Sequence, residues 1–127
     1  MLIPIIVTKV AATIGISANL LFAICQTETG FQTKNNFTDG HGGSYGICEL
    51  NLKTARSFEP WVDMIALQQN EVNLRIAAKY IKKLQLKYNN NSMHSAAAFN
   101  AGYARIADGE YLNADYVNKV RKVMDQL

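Results

Sequence analysis

The sequence predicts a mainly α-helical domain built around one core, with an irregular or weakly β segment near residues 31–47. Three observations predict it. Apolar residues recur at helical spacing in separate runs, near residues 3–14, 18–29, 70–88 and 114–127. A run of small residues, Ala96-Ala97-Ala98-Phe99-Asn100-Ala101-Gly102, follows an Asn/Ser cluster suited to capping. Residues 32–45 lose all periodicity and carry the turn dipeptides Asn35-Asn36, Asp39-Gly40 and Gly42-Gly43.

The chain has 127 residues, which suits a single domain spanning 1–127 with a core that needs no staples. Hydrophobic residues make up 49% and charged residues 18%, the balance of an ordinary globular protein. A formal charge of +3, with no basic run interleaved with aromatics, is too weak to argue for nucleic acid. No stretch reaches the length of a membrane span. The apolar start, Met1 to Val10, lacks a basic leader segment and is interrupted by Lys9, so it makes a poor signal peptide. Two cysteines do not make a disulfide framework. Cys25 and Cys48 read as buried free thiols; pairing is the alternative, because both flank residues of interest. No zinc spacing is present, and Asp39 with His41 is too small a set to hold a metal.

Taken in order, a first helix should run from about Ile3 to Ile14 and stop at Gly15. Ser17 offers an N-cap for the next helix, which Thr29 and Gly30 end. Asn51 caps a short helix that begins near Leu52, and Pro60-Trp61 marks a bend. The long helix from about Asn70 to Tyr88 buries Val72, Ile76, Tyr80, Ile81 and Leu84, while Lys79, Lys82, Lys83 and Lys87 form its solvated face. Ser92 is placed to cap a helix over Met93 to Ala101, with His94 on its surface and without a partner. Asp108 to Asn113 reads as a turn region. The last helix starts near Ala114, with Tyr116, Val117, Val120, Val123, Met124 and Leu127 at core spacing.

Glu28 is the candidate for chemistry. With Leu21, Ile24 and Cys25 it completes an i, i+3, i+4, i+7 face at the end of its helix. Partial burial and the negative end of the helix dipole both raise a carboxyl pKa there. A carboxyl kept protonated near neutral pH can serve as a general acid. Glu49 is a second carboxylate of interest, and Asn100 ends the small-residue run, where a buried amide would need partners or offer them to a ligand.

These segments together resemble the catalytic domain of soluble lytic murein transglycosylases, glycoside hydrolase family 23, which has a lysozyme-like fold. Glu28-Thr29-Gly30-Phe31 resembles the family's Glu-Ser-x-Phe block. Gly43-Ser44-Tyr45-Gly46-Ile47-Cys48-Glu49 resembles its Gly-Leu-Met-Gln block, with Thr54-Ala55 after it. The stretch from Asn73 to Ile81 resembles the long-helix block, Ala97-Ala98-Phe99-Asn100-Ala101-Gly102 the Ala-Ala-Tyr-Asn-Ala-Gly block, and Tyr116 to Val120 the closing helix. The chain departs from the pattern where Glu49 replaces Gln, Cys48 replaces Met, and Phe99 replaces Tyr.

The resemblance implies an enzyme that cleaves peptidoglycan between N-acetylmuramic acid and N-acetylglucosamine, leaving a 1,6-anhydromuramoyl end. Glu28 would be the acid and then the base. Tyr45, Gly46, Ile47, Glu49, Phe99 and Asn100 would bind the glycan. No cofactor or metal is expected, and the expected partner is the glycan strand, met by a monomer without nucleic acid or membrane span. Its place of action would be the bacterial cell wall, reached as a phage virion or lysis protein or by another export route. Two alternatives stay open: a hydrolytic, goose-type-lysozyme-like muramidase using Glu28 and Glu49, and a catalytically silent wall-binding module.

Overall fold

In a computed structural model, which describes residues 1–38 and 42–127, the chain is mainly α as expected. Its elements run α1 Ile5–Ile14, α2 Ala18–Thr29, β1 Ser44–Tyr45, β2 Leu50–Asn51, α3 Leu52–Phe58, α4 Met64–Leu67, α5 Asn70–Lys87, α6 Ser92–Ala101, β3 Ile106–Ala107, β4 Glu110–Tyr111 and α7 Ala114–Asp125.

The core forms around α2. Leu20 through Cys25 are all buried, so α2 is enclosed on every side rather than along one stripe. It packs mainly on α7, while α5 carries α1 on one side and α6 on the other. Small side chains explain the last contact: Ala96, Ala97 and Ala98 let the backbone of α6 approach its neighbours closely. Fully burying each of Leu20, Ile24, Leu74 or Ile81 contributes roughly 1.5–3 kcal/mol.

Local chemistry sets the helix ends. Ser17 Oγ accepts from the Leu20 N–H at 3.2 Å, and Asn51 Oδ1 from the Thr54 N–H at 3.0 Å, as the sequence predicts. The first helix begins at Ile5, two residues later than expected, because Pro4 stands at its N-cap. The cap of α6 is Asn91, one residue before the expected Ser92: its Oδ1 accepts from the His94 N–H at 2.9 Å. A one-turn helix, α4, is unforeseen; Asp63 caps it by accepting from Ala66 N–H at 2.7 Å.

The irregular segment holds one short antiparallel pair, with Ser44 opposite Asn51 and Tyr45 opposite Leu50. The Asp39 and His41 pair lies outside the described residues. The expected turn at 108–113 is a small hairpin, with Ile106 opposite Tyr111 and Ala107 opposite Glu110. His94 is not a lone surface residue: its Nδ1 lies 2.6 Å from the Tyr111 hydroxyl, and its ring packs edge-on against Tyr88 and Tyr111.

The free-thiol reading of the cysteines is overturned. Cys25 and Cys48 form a disulfide. A sequence separation of 23 hid a pairing that the fold makes by laying the 46–49 turn on α2.

The solvated-lysine reading of α5 divides. Lys79 pairs with the buried Glu59 at 3.0 Å, and Lys82 donates to the Ile14 carbonyl at 2.8 Å, closing the C-terminus of α1. Lys83 and Lys87 are exposed.

Candidate active site

Glu28 sits in the last turn of α2, at the floor of a groove of about 380 Å³. Glu49, Asn51, Thr54, Tyr80, Phe99, Asn100 and Gly102 are among its other walls. A larger cavity of about 430 Å³ between α1 and α5 is lined mostly by aliphatic residues, with Lys9, Glu71 and Arg75 at its edge. Glu28 and Glu49 both line the smaller groove and neither lines this cavity.

Burial sets the state of Glu28. Its Oε2 is shut away from solvent, and the carboxyl pKa is pushed up to about 7. Desolvation is the main cause; the Tyr116 hydroxyl on α7 opposes it by hydrogen bonding to the carboxylate, and the Glu49 charge adds to it. The Tyr116 contact is loose. Neither Oε2 nor the Tyr116 oxygen has a partner in full hydrogen-bond geometry among the described residues. Burial also drives the Tyr116 pKa up, so that hydroxyl remains a donor.

Glu49 is held in an unusual way. It ends a four-residue turn, its N–H donating to the Gly46 carbonyl at 3.0 Å, with φ at 47°. Left-handed backbone at a non-glycine residue costs on the order of 1 kcal/mol and persists only where the surroundings enforce it. The enforcement is visible. Cys48 is bonded to Cys25 of α2. The Cys48 N–H donates to Asn73 Oδ1 at 2.9 Å, while Asn73 Nδ2 donates to the Tyr45 and Leu67 carbonyls, both at 2.8 Å. The Thr29 hydroxyl donates to the Ile47 carbonyl. Gly46 lies so close to Asn73 that a Cβ would overlap the Asn73 amide and approach the Leu67 carbonyl to 2.7 Å. The turn is thus fastened to both α2 and α5, and the fastening fixes Glu49 relative to Glu28.

The predicted site residues separate into two groups. Glu28, Glu49, Phe99 and Asn100 line the groove. Tyr45, Gly46 and Ile47 lie beneath it, buried, and build the turn that presents Glu49. Asn100 is exposed rather than buried. Its Oδ1 accepts from Asn113 Nδ2 at 2.9 Å, and the same amide donates to the Ala97 carbonyl at 3.0 Å. That leaves the Asn100 amide group directed by Asn113 at the groove edge. Phe99 packs its ring on Tyr80, centroids 5.2 Å apart, as part of the groove wall.

Sequence reasoning missed Tyr116, Asn73 and Asn113 as parts of the site. Tyr116 was hidden in a helical core stripe, although a hydroxyl in an apolar stripe is itself a signal. Asn73 carried a similar signal: a fully buried amide on α5 must find partners, and it does.

Comparison with known proteins gives the family and the fold. The family model described as the transglycosylase SLT domain matches residues 6–119. An inactive mutant of the lytic transglycosylase Slt from Pseudomonas aeruginosa, known from an X-ray structure, superposes with a TM-score of 0.69 at 23% identity. The match covers 94% of this chain and 21% of that one, so the chain spans about a fifth of that protein's length. The shared fold is lysozyme-like. No curated protein matches the chain. Since the family model covers most of its length, the chain belongs to the transglycosylase SLT domain family.

Proposed function

We propose that this chain is a peptidoglycan lytic transglycosylase that breaks the bond between N-acetylmuramic acid and N-acetylglucosamine. The observation that carries the proposal is Glu28: a carboxyl with its pKa pushed up to about 7, lining a polar groove. In its protonated form, a substantial fraction at neutral pH, it gives its proton to the glycosidic oxygen as that bond breaks. The substrate's own N-acetyl group stabilises the sugar cation that develops. Glu28, now ionised, takes the proton of the muramoyl C6 hydroxyl, and that oxygen closes the 1,6-anhydro ring. The proton returns to Glu28, so no water is consumed. The Tyr116 hydroxyl stabilises the ionised state that exists between the two steps. Asn100, steered by Asn113, holds an N-acetyl group at the groove edge. Residues 1–127 act as one catalytic unit at the bacterial cell wall in this reading.

A second reading has one observation behind it. Glu49 lies on the same groove and its charge acts on Glu28. A carboxylate there could direct water to the sugar and yield a reducing end. Mass spectrometry of digested peptidoglycan separates the two. Anhydromuramoyl products that vanish in Glu28→Gln, with loss of about a thousandfold or more in rate, support the transglycosylase. Reducing-end products overturn it in favour of hydrolysis. Absence of products from a folded wild-type chain that still binds peptidoglycan would leave a wall-binding module.

A further inference from the structure

Helix α1 is apolar beyond what its own core uses. Val7 and Ala11 are buried against the rest of the chain. Ile6, Val10 and Ile14 recur every fourth residue beside them, which on a helix makes a second stripe. That stripe is only half-buried, and it lines the cavity of about 430 Å³ between α1 and α5. Ile5 also lines the cavity, 73% exposed; Leu2 and Met1, just before it in the chain, are 92% and 58% exposed. Single apolar residues on a surface need no explanation, whereas a contiguous set around an apolar hollow marks a contact surface.

Three features of this face match it to itself. It carries both halves of an apolar contact, exposed aliphatic side chains and a hollow with room for them. It carries both signs of charge: Lys9 and Glu71 line the same cavity, both exposed, and neither forms an ion pair among the described residues. Arg75 beside them is already committed to Glu59 at 2.7 Å. The third feature is direction. The carbonyl of Ile14 is held by Lys82, whereas Ile5 and Glu71 share the cavity, so α1 and α5 run the same way. Lys9 therefore lies further along that shared direction than Glu71 does. A two-fold axis across the cavity, between them, reverses this order and brings each charge to its opposite, twice.

We infer that this face is the contact between two copies of the chain related by a two-fold axis, with Ile5 of each copy entering the cavity of the other and Lys9 of each pairing with Glu71 of the other. The catalytic groove stays clear, because no residue lines both it and this cavity. A dimer built this way keeps both of its grooves open. The inference is independent of the reaction assigned to the groove.

Sedimentation equilibrium of the full chain, from about 1 μM to about 1 mM, is the test. The wild type should show a monomer–dimer equilibrium with Kd on the order of 10 μM, as a modest contact gives. Ile5→Glu should weaken it about a hundredfold or more, since the change enters a two-fold contact twice. Lys9→Glu and Glu71→Lys should each weaken it about tenfold, and the two together should return it to within about threefold of the wild type. All three positions are exposed, and thermal melts followed by circular dichroism check that each variant is folded. A wild type that stays monomeric throughout the range overturns the inference. So does a dimer indifferent to Ile5→Glu, which would use another face. A dimer weakened by each charge reversal but not recovered by both overturns it as well, since Lys9 and Glu71 would then not meet. A monomer that binds phosphatidylcholine vesicles, and loses that binding in Ile5→Glu, makes the face a lipid contact and overturns it too.

Discussion

The Tyr116 hydroxyl and the Glu28 carboxyl meet inside the contact between α7 and α2, both largely withdrawn from water. The relationship is a tuning device. Burial favours the protonated carboxyl, and the tyrosine favours the ionised one. In the proposed cycle Glu28 occupies both states, and a pKa near the middle of the physiological range suits that role.

Replacing Tyr116 by Phe removes the group that favours ionisation. The Glu28 pKa then rises. Since kcat/KM needs the protonated acid, activity is lost with rising pH through that pKa, and the alkaline limb of the pH profile should move upward, by about 1 unit. The maximal rate should drop about tenfold, because the ionised intermediate state loses a donor. A pH series of initial rates checks both; an unmoved limb would separate Tyr116 from the acid.

Glu49→Gln acts in the opposite direction. Its charge raises the Glu28 pKa, so removing it should lower the alkaline limb. The family pattern has Gln here, and the variant should keep forming anhydro ends. Product analysis at pH 6 and pH 8 reads the shift and the chemistry together. A variant that loses reducing-end products while keeping anhydro ends would make Glu49 the residue that admits water.

Much of the fold was legible in the sequence, for a physical reason: helices announce themselves through local periodicity and caps. Ser17, Asn51 and Gly15 act where short-range chemistry puts them. The raised pKa of Glu28 was legible because its own helix supplies apolar neighbours that help to desolvate it. What sequence could not supply was long-range pairing. Cys25–Cys48 depends on where a turn lands, and Tyr116 reaches Glu28 only once α7 folds back on α2. The Asp108-Gly109 signal was present, but the pairing of Ile106 with Tyr111 needed the flanking residues, which look aperiodic. Tyr45 and Ile47 were expected to bind the glycan; their side chains are buried beside the disulfide, a placement that depends on where the 46–49 turn lands.

Two carboxyl groups should shape the pH dependence of stability in different windows. The Glu28 pKa is raised from 4.5 to about 7, so its stabilising share is complete below pH 4.5 and is lost as pH rises to about 7. Glu28→Gln, which cannot ionise, should therefore be more stable than the wild type above pH 7, by on the order of 2 kcal/mol, and similar to it below pH 4.5. Glu59 is the reverse. Arg75, and after it Lys79 and Trp61, hold its carboxyl down to about 2. Its share is present above pH 4.5 and is lost as pH falls toward 2. Glu59→Gln should cost about 1–2 kcal/mol at neutral pH, discounted because Arg75 and Lys79 are a third exposed, and should cost little at pH 2. Urea titrations across pH 2–8 on the three proteins would resolve both windows.

The disulfide gives a prediction that links stability to chemistry. Closing a loop with a sequence separation of 23 stabilises a chain by about 3 kcal/mol through the unfolded state. Cys25→Ser/Cys48→Ser should therefore melt about 10 °C lower. The loss should not stop at stability. Cys48 is one of the points that hold the 46–49 turn, and that turn holds Glu49 in left-handed backbone beside the acid. With the bond gone, the remaining fasteners are Asn73 and Thr29. Glu49 then has freedom to relax away from Glu28, and the alkaline limb of the rate profile should move downward, in the same direction as Glu49→Gln. Adding Glu49→Gln to the double serine variant should produce little further shift, since both changes act on the same charge. Full additivity of the two shifts would mean that the disulfide does not position Glu49. An unchanged limb in the serine variant, with the expected loss in melting temperature, would mean that Asn73 and Thr29 suffice to hold the turn.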